Sequence, residues 1–428
     1  MLGAIGFIMI AVLIGLLLSE KVHTVVVFCV VPVVFGLIAG FGLKDLGNFI
    51  TFGVGITSRT AILAIFAILY FSIMSEQGMF DGIVRGLSKI AGKNIVLVFI
   101  ATALIACFSH LDGASASTLL VTVPAMLPVF NKLKVKPINM IFIISAAIGV
   151  MNLMPWAGGI IRVASVLQLD PGDMWHKLLP AQIASFVLII ISCGILGYIE
   201  HKTNAHKTTD VELEDTEEKY SERQIKLRPF NLGLTGVLIV ILLFGWMDLK
   251  MAFFLALSIA LVLNYKGVRE QQGALRKFAG NALPVAAIML SAGVFVGVVS
   301  KSGMLTEMVN FLSKLIPSSI GSYLHIVIAI LAMPLFMILG ADSFLFALLP
   351  LFAGIGETFG VASVDMAAAM LIGCNFCLLI SPLAPTTYLA MEMVGTTLRE
   401  NLKANMLKIY LLSLAVVGVS IIIGVLPL

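Results

Sequence analysis

Asn152-Leu153-Met154-Pro155-Trp156-Ala157-Gly158-Gly159-Ile160-Ile161-Arg162 sits in the middle of an apolar stretch, residues 137–170, that is long enough to cross a bilayer. Crossing takes ~20 helical residues, and a proline followed by a glycine pair has no place in an unbroken one. Pro155 removes a backbone donor and the glycines release the helix, so the chain is expected to break near mid-membrane and restart around Gly159. A restarted helix presents free N–H groups and the positive end of its dipole, which suits a carboxylate. Arg162 then falls in the first turn of the half-helix, within reach of a bidentate pair with the same anion. A charge in mid-membrane costs at least ~2.5 kcal/mol, which favours this reading over an arginine that snorkels outward or serves a structural ion pair.

The segment has a twin. Ile380-Ser381-Pro382-Leu383-Ala384-Pro385-Thr386-Thr387 repeats the interruption, with Pro385 expected to open the restarted helix and the threonine hydroxyls in its first turn. Hydroxyls and freed carbonyls bind a cation or an oxygen-rich ligand without burying a charge. Pro155 and Pro382 are 227 residues apart, as are Gly113-Ala114 and Gly340-Ala341. Gly78-Met79, Val84 and Leu87-Ser88-Lys89 return at Gly303-Met304, Val309 and Leu312-Ser313-Lys314. Interrupted hydrophobic segments at matching places of a duplicated chain are the sequence signature of a secondary transporter, and the interruptions point to its binding site.

Composition agrees: 60% of the 428 residues are hydrophobic and 12% charged, against roughly 25% charged in soluble domains. The net charge of +4 is small and the basic residues lie beside apolar segments, which speaks for membrane topology and against a nucleic-acid partner. The first apolar stretch, Leu2 to Leu18, has neither a basic start nor a small-residue cleavage site and reads as a retained span. Cys374-x-x-Cys377 has redox or metal-like spacing but no second pair or nearby histidine, so buried small residues are expected there.

Apolar stretches give an all-α integral membrane protein of two five-span halves. In the first repeat, residues 1–199, spans are expected at 2–18, 22–42, 60–77, the broken 137–170, and 176–198. Arms 94–108 and 114–130, each too short to cross, should form a re-entrant hairpin of about 94–130. The second repeat, 230–428, gives spans near 231–246, 250–265, 283–300, the broken 364–397, and 404–427, with a hairpin at about 319–360. Segments 44–58, 79–92, 267–281 and 304–316 mix polar and apolar residues and read as separate helices lying in the interface.

Five spans is an odd number, so the second repeat is expected to enter the membrane inverted. The hydrophilic linker 200–229 carries eight acidic and six basic residues between Glu200 and Arg228. Placing it in the cytoplasm leaves both termini outside and puts 20 of the 27 Lys and Arg on the inner face, as the positive-inside rule asks.

The hairpin tips supply further chemistry. His110-Leu111-Asp112-Gly113-Ala114-Ser115-Ala116-Ser117-Thr118 sets an imidazole, a carboxylate and three hydroxyls around a glycine turn that opens a helix. Such groups bind a proton, a hard cation, or a metal already held by a substrate. In the second tip, Gly340-Ala341-Asp342-Ser343, Asp342 aligns with Ser115, so the repeat is chemically asymmetric. A carboxylate facing a small-residue cavity couples transport by taking up a proton or cation, because leaving it charged and unpaired is expensive. In water, either aspartate would be a turn residue or helix cap. A structural role is expected for His325 and Glu392, which have no obvious partner.

Residues 105–182, with His110-Leu111-Asp112-Gly113, Pro124-Ala125-Met126-Leu127-Pro128 and the run from Gly149 through Pro155 to Arg162, resemble the CitMHS family of citrate/proton symporters, part of the ion transporter superfamily. That resemblance implies transport of citrate, free or as a divalent-metal complex, by a homodimer with a scaffold and an elevator-like transport domain made of hairpins and broken spans. It further implies ligand contacts from Ser115, Ser117, Thr118, Asn152, Gly158, Gly159 and Arg162 on one side. On the other it implies Asp342, Ser343, Ser381, Pro382, Thr386 and Thr387. The sodium-coupled carriers of the superfamily bear Ser-Asn-Thr at each tip, where this chain has Ser115-Ala116-Ser117-Thr118 and Asp342-Ser343-Phe344. Acidic tips tilt coupling toward protons, with His110, Asp112 and Asp342 as the groups that carry the proton, a sodium ion or the substrate's metal.

The expectation is therefore a non-enzymatic symporter of citrate or a related di- or tricarboxylate in the inner cell membrane, surrounded by lipid and needing no resident cofactor. The alternatives are a sodium/proton antiporter of the same superfamily, with the aspartates as ion site and Arg162 structural, and a passive anion channel. An enzyme is disfavoured because no nucleophile–base pair or phosphate loop appears.

Overall fold

The computed structural model describes residues 1–19, 21–92, 94–204 and 220–428, and among them every regular element is helical. The first half runs α1 (Leu2–Ser19), α2 (Thr24–Ile38), α3 (Leu43–Glu76), α4 (Asp81–Ala91), α5 (Ile95–Ser109), α6 (Ser115–Lys132), α7 (Ile138–Met151), α8 (Gly158–Leu167) and α9 (Pro171–Asn204). The second runs α10 (Glu222–Leu243), α11 (Leu249–Asn264), α12 (Gly267–Lys301), α13 (Met304–Ser313), α14 (Ser318–Gly321), α15 (Leu324–Asp342), α16 (Leu349–Thr358), α17 (Ser363–Cys374), α18 (Pro385–Val394) and α19 (Leu398–Ile422). Among the described residues, eight helical segments are long and apolar enough to cross a membrane.

The order of elements recurs between the halves, most closely at the half-helices: α8 and α18 each have 10 residues and start 227 residues apart. The hairpin tips turn on glycines at the same interval, Gly113 with φ 72° and Gly340 with φ 73°. L-residues avoid that left-handed region and glycine does not, so a hairpin reverses there at little cost. The first tip is a short 3-10 turn, His110–Asp112, leading into α6. In the second, Gly340 kinks the end of α15 and the chain passes through a π-helical turn, Ser343–Leu348, into α16.

Both broken spans are present. Residues 152–157 separate α7 from α8, and the chain leaves helix again between α17 with its 3-10 extension, Asn375–Cys377, and α18, which opens on Pro385. Helices α7 and α17 are the most enclosed elements; Asn139 through Val150 and Met366 through Cys374 are all buried.

The interfacial segments 44–58 and 267–281 are not separate helices. They are continuous with the spans that follow, giving α3 of 34 residues and α12 of 35, about 50 Å each at ~1.5 Å per residue. No proline lies in α3, and α12 packs closely on one of its glycines, Gly53. A Cβ on Gly53 would lie 2.6 Å from the Gly297 nitrogen and run into the Gly293 carbonyl oxygen. The expected spans 22–42 and 250–265 form helices of 15 and 16 residues. Gly40, with φ 93°, has ended α2 before residue 42, and Tyr265 leaves helix at the end of α11. Amphipathic helices do occupy 81–91 and 304–313.

The linker is shorter than expected at both ends. Residues 200–204 close α9 and residues 222–229 open α10, where the Ser221 hydroxyl accepts from the Gln224 N–H. Residues 205–219, the remainder of that stretch, lie outside the described residues.

Candidate functional site

The first break is held open by side chains that replace the lost helical hydrogen bonds. Trp156 donates its indole N–H to the Leu111 carbonyl at 2.8 Å and stacks on Phe71, 5.2 Å between centroids. His110 bridges the same two segments, with Nδ1 2.7 Å from Thr118 Oγ1 and Nε2 3.1 Å from Asn152 Oδ1. The first hairpin tip and the first break are thus one rigid unit. The second break is closed differently. Thr387 Oγ1 lies 3.0 Å from the Leu378 oxygen and 2.7 Å from the Ser381 oxygen. Ser145, on α7, donates to the Phe376 carbonyl at 2.7 Å and accepts from the Leu379 N–H. Irregular backbone at membrane depth is tolerated only with such replacement partners.

Between breaks and tips lies a cavity of about 670 Å³. Its polar lining includes Ser115, Asn152, Arg162, Asp342, Ser343 and Thr386. Gly158, Gly159 and Ser381 also line it, and apolar surface comes from Leu17, Val22, Phe336 and Leu345. Three helices begin at its wall, α6 at Ser115, α8 at Gly158 and α18 at Pro385, and none of them has a side-chain cap in the first turn. The uncapped starts of α6 and α8 leave N–H groups beside one space, and α18, whose Pro385 has no N–H, adds the Thr386 N–H and its positive dipole end, which is the environment an anion needs.

One ion pair spans the cavity. Arg162 Nε donates to Asp342 Oδ1 at 2.9 Å, and Nη1 donates to the Gly158 carbonyl at 3.0 Å. Both side chains keep 23% of their surface exposed. Gly158 is what allows the arginine to fold back, because a Cβ there would lie 2.7 Å from Nη1. The guanidinium also lies 5.9 Å from the centre of the Phe346 ring.

The remaining residues singled out from sequence stand behind this lining. Asp112 is buried and accepts from the Ala114 N–H at 2.8 Å and from the Ser117 hydroxyl. The Ser117 and Thr118 hydroxyl oxygens also lie 2.8 and 3.1 Å from the Ala114 carbonyl oxygen, and Thr387 is fully buried in the second break. Pro382 is not part of the lining; its carbonyl accepts from the Tyr388 hydroxyl at 2.8 Å. No hydrogen bond joins His110 to Asp112. Among the described residues no three His, Cys, Asp or Glu side chains assemble as metal ligands. Cys374 and Cys377 are free and buried, and His325 ties the end of the chain through Nε2 to the Pro427 carbonyl at 2.8 Å.

Asn375 was not anticipated. It lines the cavity against Gly159, and its Nδ2, like Ser343 Oγ, is buried with no hydrogen-bond partner. A single amide in the run Gly373-Cys374-Asn375-Phe376-Cys377 was the available signal, since an amide is costly at that depth without a function. His23, at the cavity rim, is a second addition; its Nδ1 accepts from the Val25 N–H at 3.3 Å.

A multi-pass helical membrane protein whose broken helices and hairpin tips line one open cavity with polar groups set among apolar ones falls, as a class, among the membrane transporters. This chain belongs to the citrate transporter family, CitMHS, whose family model matches residues 14–373. It is 34% identical over 403 residues to a citrate transporter of Bacillus subtilis (strain 168), covering 94% of each chain. It is 31% identical over 434 residues to the Mg(2+)/citrate complex secondary transporter of the same organism, covering 99% of each. Its fold is similar to the crystal structure of the Alcanivorax borkumensis YdaH transporter, with TM-score 0.65 and 16% identity over 90% of this chain and 91% of that one.

Proposed function

We propose that this protein is a secondary active symporter that carries citrate or a related di- or tricarboxylate, free or as its divalent-metal complex, together with protons. The observation that carries the reading is the convergence of Arg162 with the uncapped starts of α6, α8 and α18 on one cavity. A polycarboxylate needs both a bidentate cation and several N–H donors, and this chamber offers them without a lysine. Relatives named for citrate and for magnesium citrate support the same substrate class. A divalent ion would be cargo, arriving with the substrate, and Asn375 and Ser343 bring buried polar atoms that a bound acid can satisfy.

The proposed site comprises Ser115, Ser117, Thr118, Asn152, Gly158, Gly159, Arg162, Ser343, Ser381, Pro382, Thr386 and Thr387, with His110, Asp112 and Asp342 for the coupling ion. Asp342 is the member of the last group that reaches the cavity; Ser117, Thr118, His110, Asp112 and Thr387 act from behind, by fixing the tips and breaks. The recurring element order supports an inverted repeat, residues 1–199 and 230–428, working as a homodimeric elevator in the inner membrane with both termini outside. The first tip-and-break unit and the second break, joined to it through Ser145 of α7, would move together against the long helices α3 and α12.

The Arg162–Asp342 pair itself favours a second reading, a sodium/proton antiporter in which the arginine is structural. Uptake of labelled citrate into proteoliposomes, with and without magnesium, under separately imposed proton and sodium gradients, separates the two. Proton-driven accumulation of citrate supports the symporter. Sodium-driven proton flux with no citrate present supports the antiporter.

A further inference from the structure

We infer that Asp342 occupies the place a substrate carboxylate takes on Arg162, so that substrate binds only as Asp342 leaves and gains a proton. The inference rests on the citrate reading above and goes on to say how binding and proton uptake are tied.

Three observations carry it. First, Asp342 Oδ1 sits 2.9 Å from Arg162 Nε, while Nη1 is spent on the Gly158 carbonyl at 3.0 Å. A substrate carboxylate that is to pair side-on through Nε and Nη2 therefore has to displace Asp342. Second, both partners line the cavity and keep 23% exposure, so an incoming anion reaches the pair directly. Third, Asp342 stands at the end of α15, two residues after the left-handed kink at Gly340 and directly before the π-helical turn. Backbone that leaves regular α-helix on both sides of the aspartate, as π turns at functional sites do, sets Asp342 apart from the helix before it and the helix after it.

Charge then dictates the rest. With the pair closed, Arg162 and Asp342 cancel, and His23 at the rim is the other titratable side chain among the described lining residues. When a substrate carboxylate takes Arg162, Asp342 faces both an anion and a low-dielectric wall containing Phe336 and Leu345. An unpaired carboxylate beside a like charge and an apolar wall takes a proton more readily. The proton comes from the solvent to an Asp342 oxygen, the Arg162–Asp342 bond breaks, and an Arg162–substrate bond forms. Conversely, loss of that proton returns Asp342 to Arg162 and expels the acid. Substrate and proton therefore raise each other's affinity by the same factor.

The test begins with purified full-length protein in weakly buffered detergent solution, at a pH where free citrate is fully ionised. Adding citrate to the wild type is expected to take up about one proton per citrate bound, and affinity is expected to fall about tenfold per pH unit on the alkaline side. Asp342→Asn is expected to bind citrate without proton uptake and with that pH dependence lost. In proteoliposomes the variant should exchange citrate for citrate yet fail to concentrate it under a proton gradient.

Wild-type binding without proton uptake overturns the inference without needing the variant to fold. So does an Asp342→Asn protein that still concentrates citrate under a proton gradient. A folded variant that neither binds nor exchanges citrate also overturns it, and makes Asp342 a positioning partner of Arg162. If magnesium abolishes proton uptake in the wild type while citrate still binds, the positive charge is the metal's and the proton's part is overturned. A wild type that binds no citrate sinks the citrate reading itself, and the inference with it, in the first arm of the experiment.

Discussion

Leu111 and Trp156 are joined across 45 residues by an indole N–H donated to a backbone carbonyl at 2.8 Å, which fastens the first hairpin tip to the first broken span. Both groups are buried, so the carbonyl has no water to fall back on. Trp156→Phe keeps the ring near Phe71 and Phe253 but leaves the Leu111 oxygen unpaired, at about 1–3 kcal/mol. The expected result is a lower melting temperature in detergent and slower transport, with citrate affinity changed less than turnover. A variant with wild-type melting and turnover would show that the tip and the break need no such tie.

Gly158 and Gly159 are adjacent, yet replacing them should have unequal effects. A Cβ at Gly158 would lie 2.7 Å from Arg162 Nη1, which is the free end of a side chain and can swing away. Gly158→Ala is therefore expected to fold normally and to raise the apparent KM for citrate on the order of tenfold, the equivalent of ~1.4 kcal/mol, by displacing the guanidinium. At Gly159 the neighbours are Leu371 Cδ2 at 3.1 Å and Asn375 Oδ1 at 3.5 Å, so Gly159→Ala should act through packing of α17. Uptake kinetics for the two variants, normalised to folded protein, check the order. Equal KM values would remove Gly158 from the arginine's support.

The crossing of α3 and α12 admits no such relief. A Cβ on Gly53 would meet backbone atoms of Gly293 and Gly297, which cannot rotate out of the way. Gly53→Ala is expected to cost several kcal/mol, in the range of overpacked cores, and to abolish well-folded protein. Gly55, on the same helix with nothing near it, is the control. Gly55→Ala should be neutral or gain up to ~1 kcal/mol from helix propensity. Fluorescence-detected size-exclusion profiles would distinguish them, and similar profiles would mean that α3 and α12 separate more readily than their contact suggests.

The sequence announced its breaks more clearly than its continuities. Pro155 with Gly158-Gly159, and Pro382 with Pro385, are strong local signals, and the chain leaves helix at both. Segments 44–58 and 267–281 misled because local polarity cannot tell an interfacial helix from the end of a long one. The two long helices α3 and α12 meet through Gly53, Gly293 and Gly297, glycines far apart in the chain. The site was legible to the same degree. Arg162 announced itself as a charge between apolar residues, but its partner Asp342 lies 180 residues away and was read for a separate role. The sequence around Asp112 fits a coupling group or a water-facing cap; in the fold it is buried and bonded within its own tip. Asn375 went unremarked because a lone amide in an apolar run carries no periodicity.

Thr386 and Thr387 separate a residue that meets the ligand from one that holds the wall. Thr386 lines the cavity at the start of α18, whereas Thr387 is fully buried, with its hydroxyl oxygen 2.7 Å from the Ser381 oxygen and 3.0 Å from the Leu378 oxygen. Valine matches threonine in shape and removes only the hydroxyl. At position 387 that removes the hydroxyl from between the Leu378 and Ser381 carbonyls, of which the second keeps the Ala384 N–H and the first has no other donor among the described residues, and about 1–3 kcal/mol of stability should go with it. At position 386 the loss falls on the ligand. Thr386→Val is therefore expected to raise the KM for citrate with melting unchanged, and Thr387→Val to lower melting while any folded fraction keeps a near-normal KM. Thermal unfolding and uptake kinetics on the two single variants decide it. If Thr387→Val instead shifts KM at constant stability, its hydroxyl turns toward the substrate during transport and the second break is not the fixed wall described above.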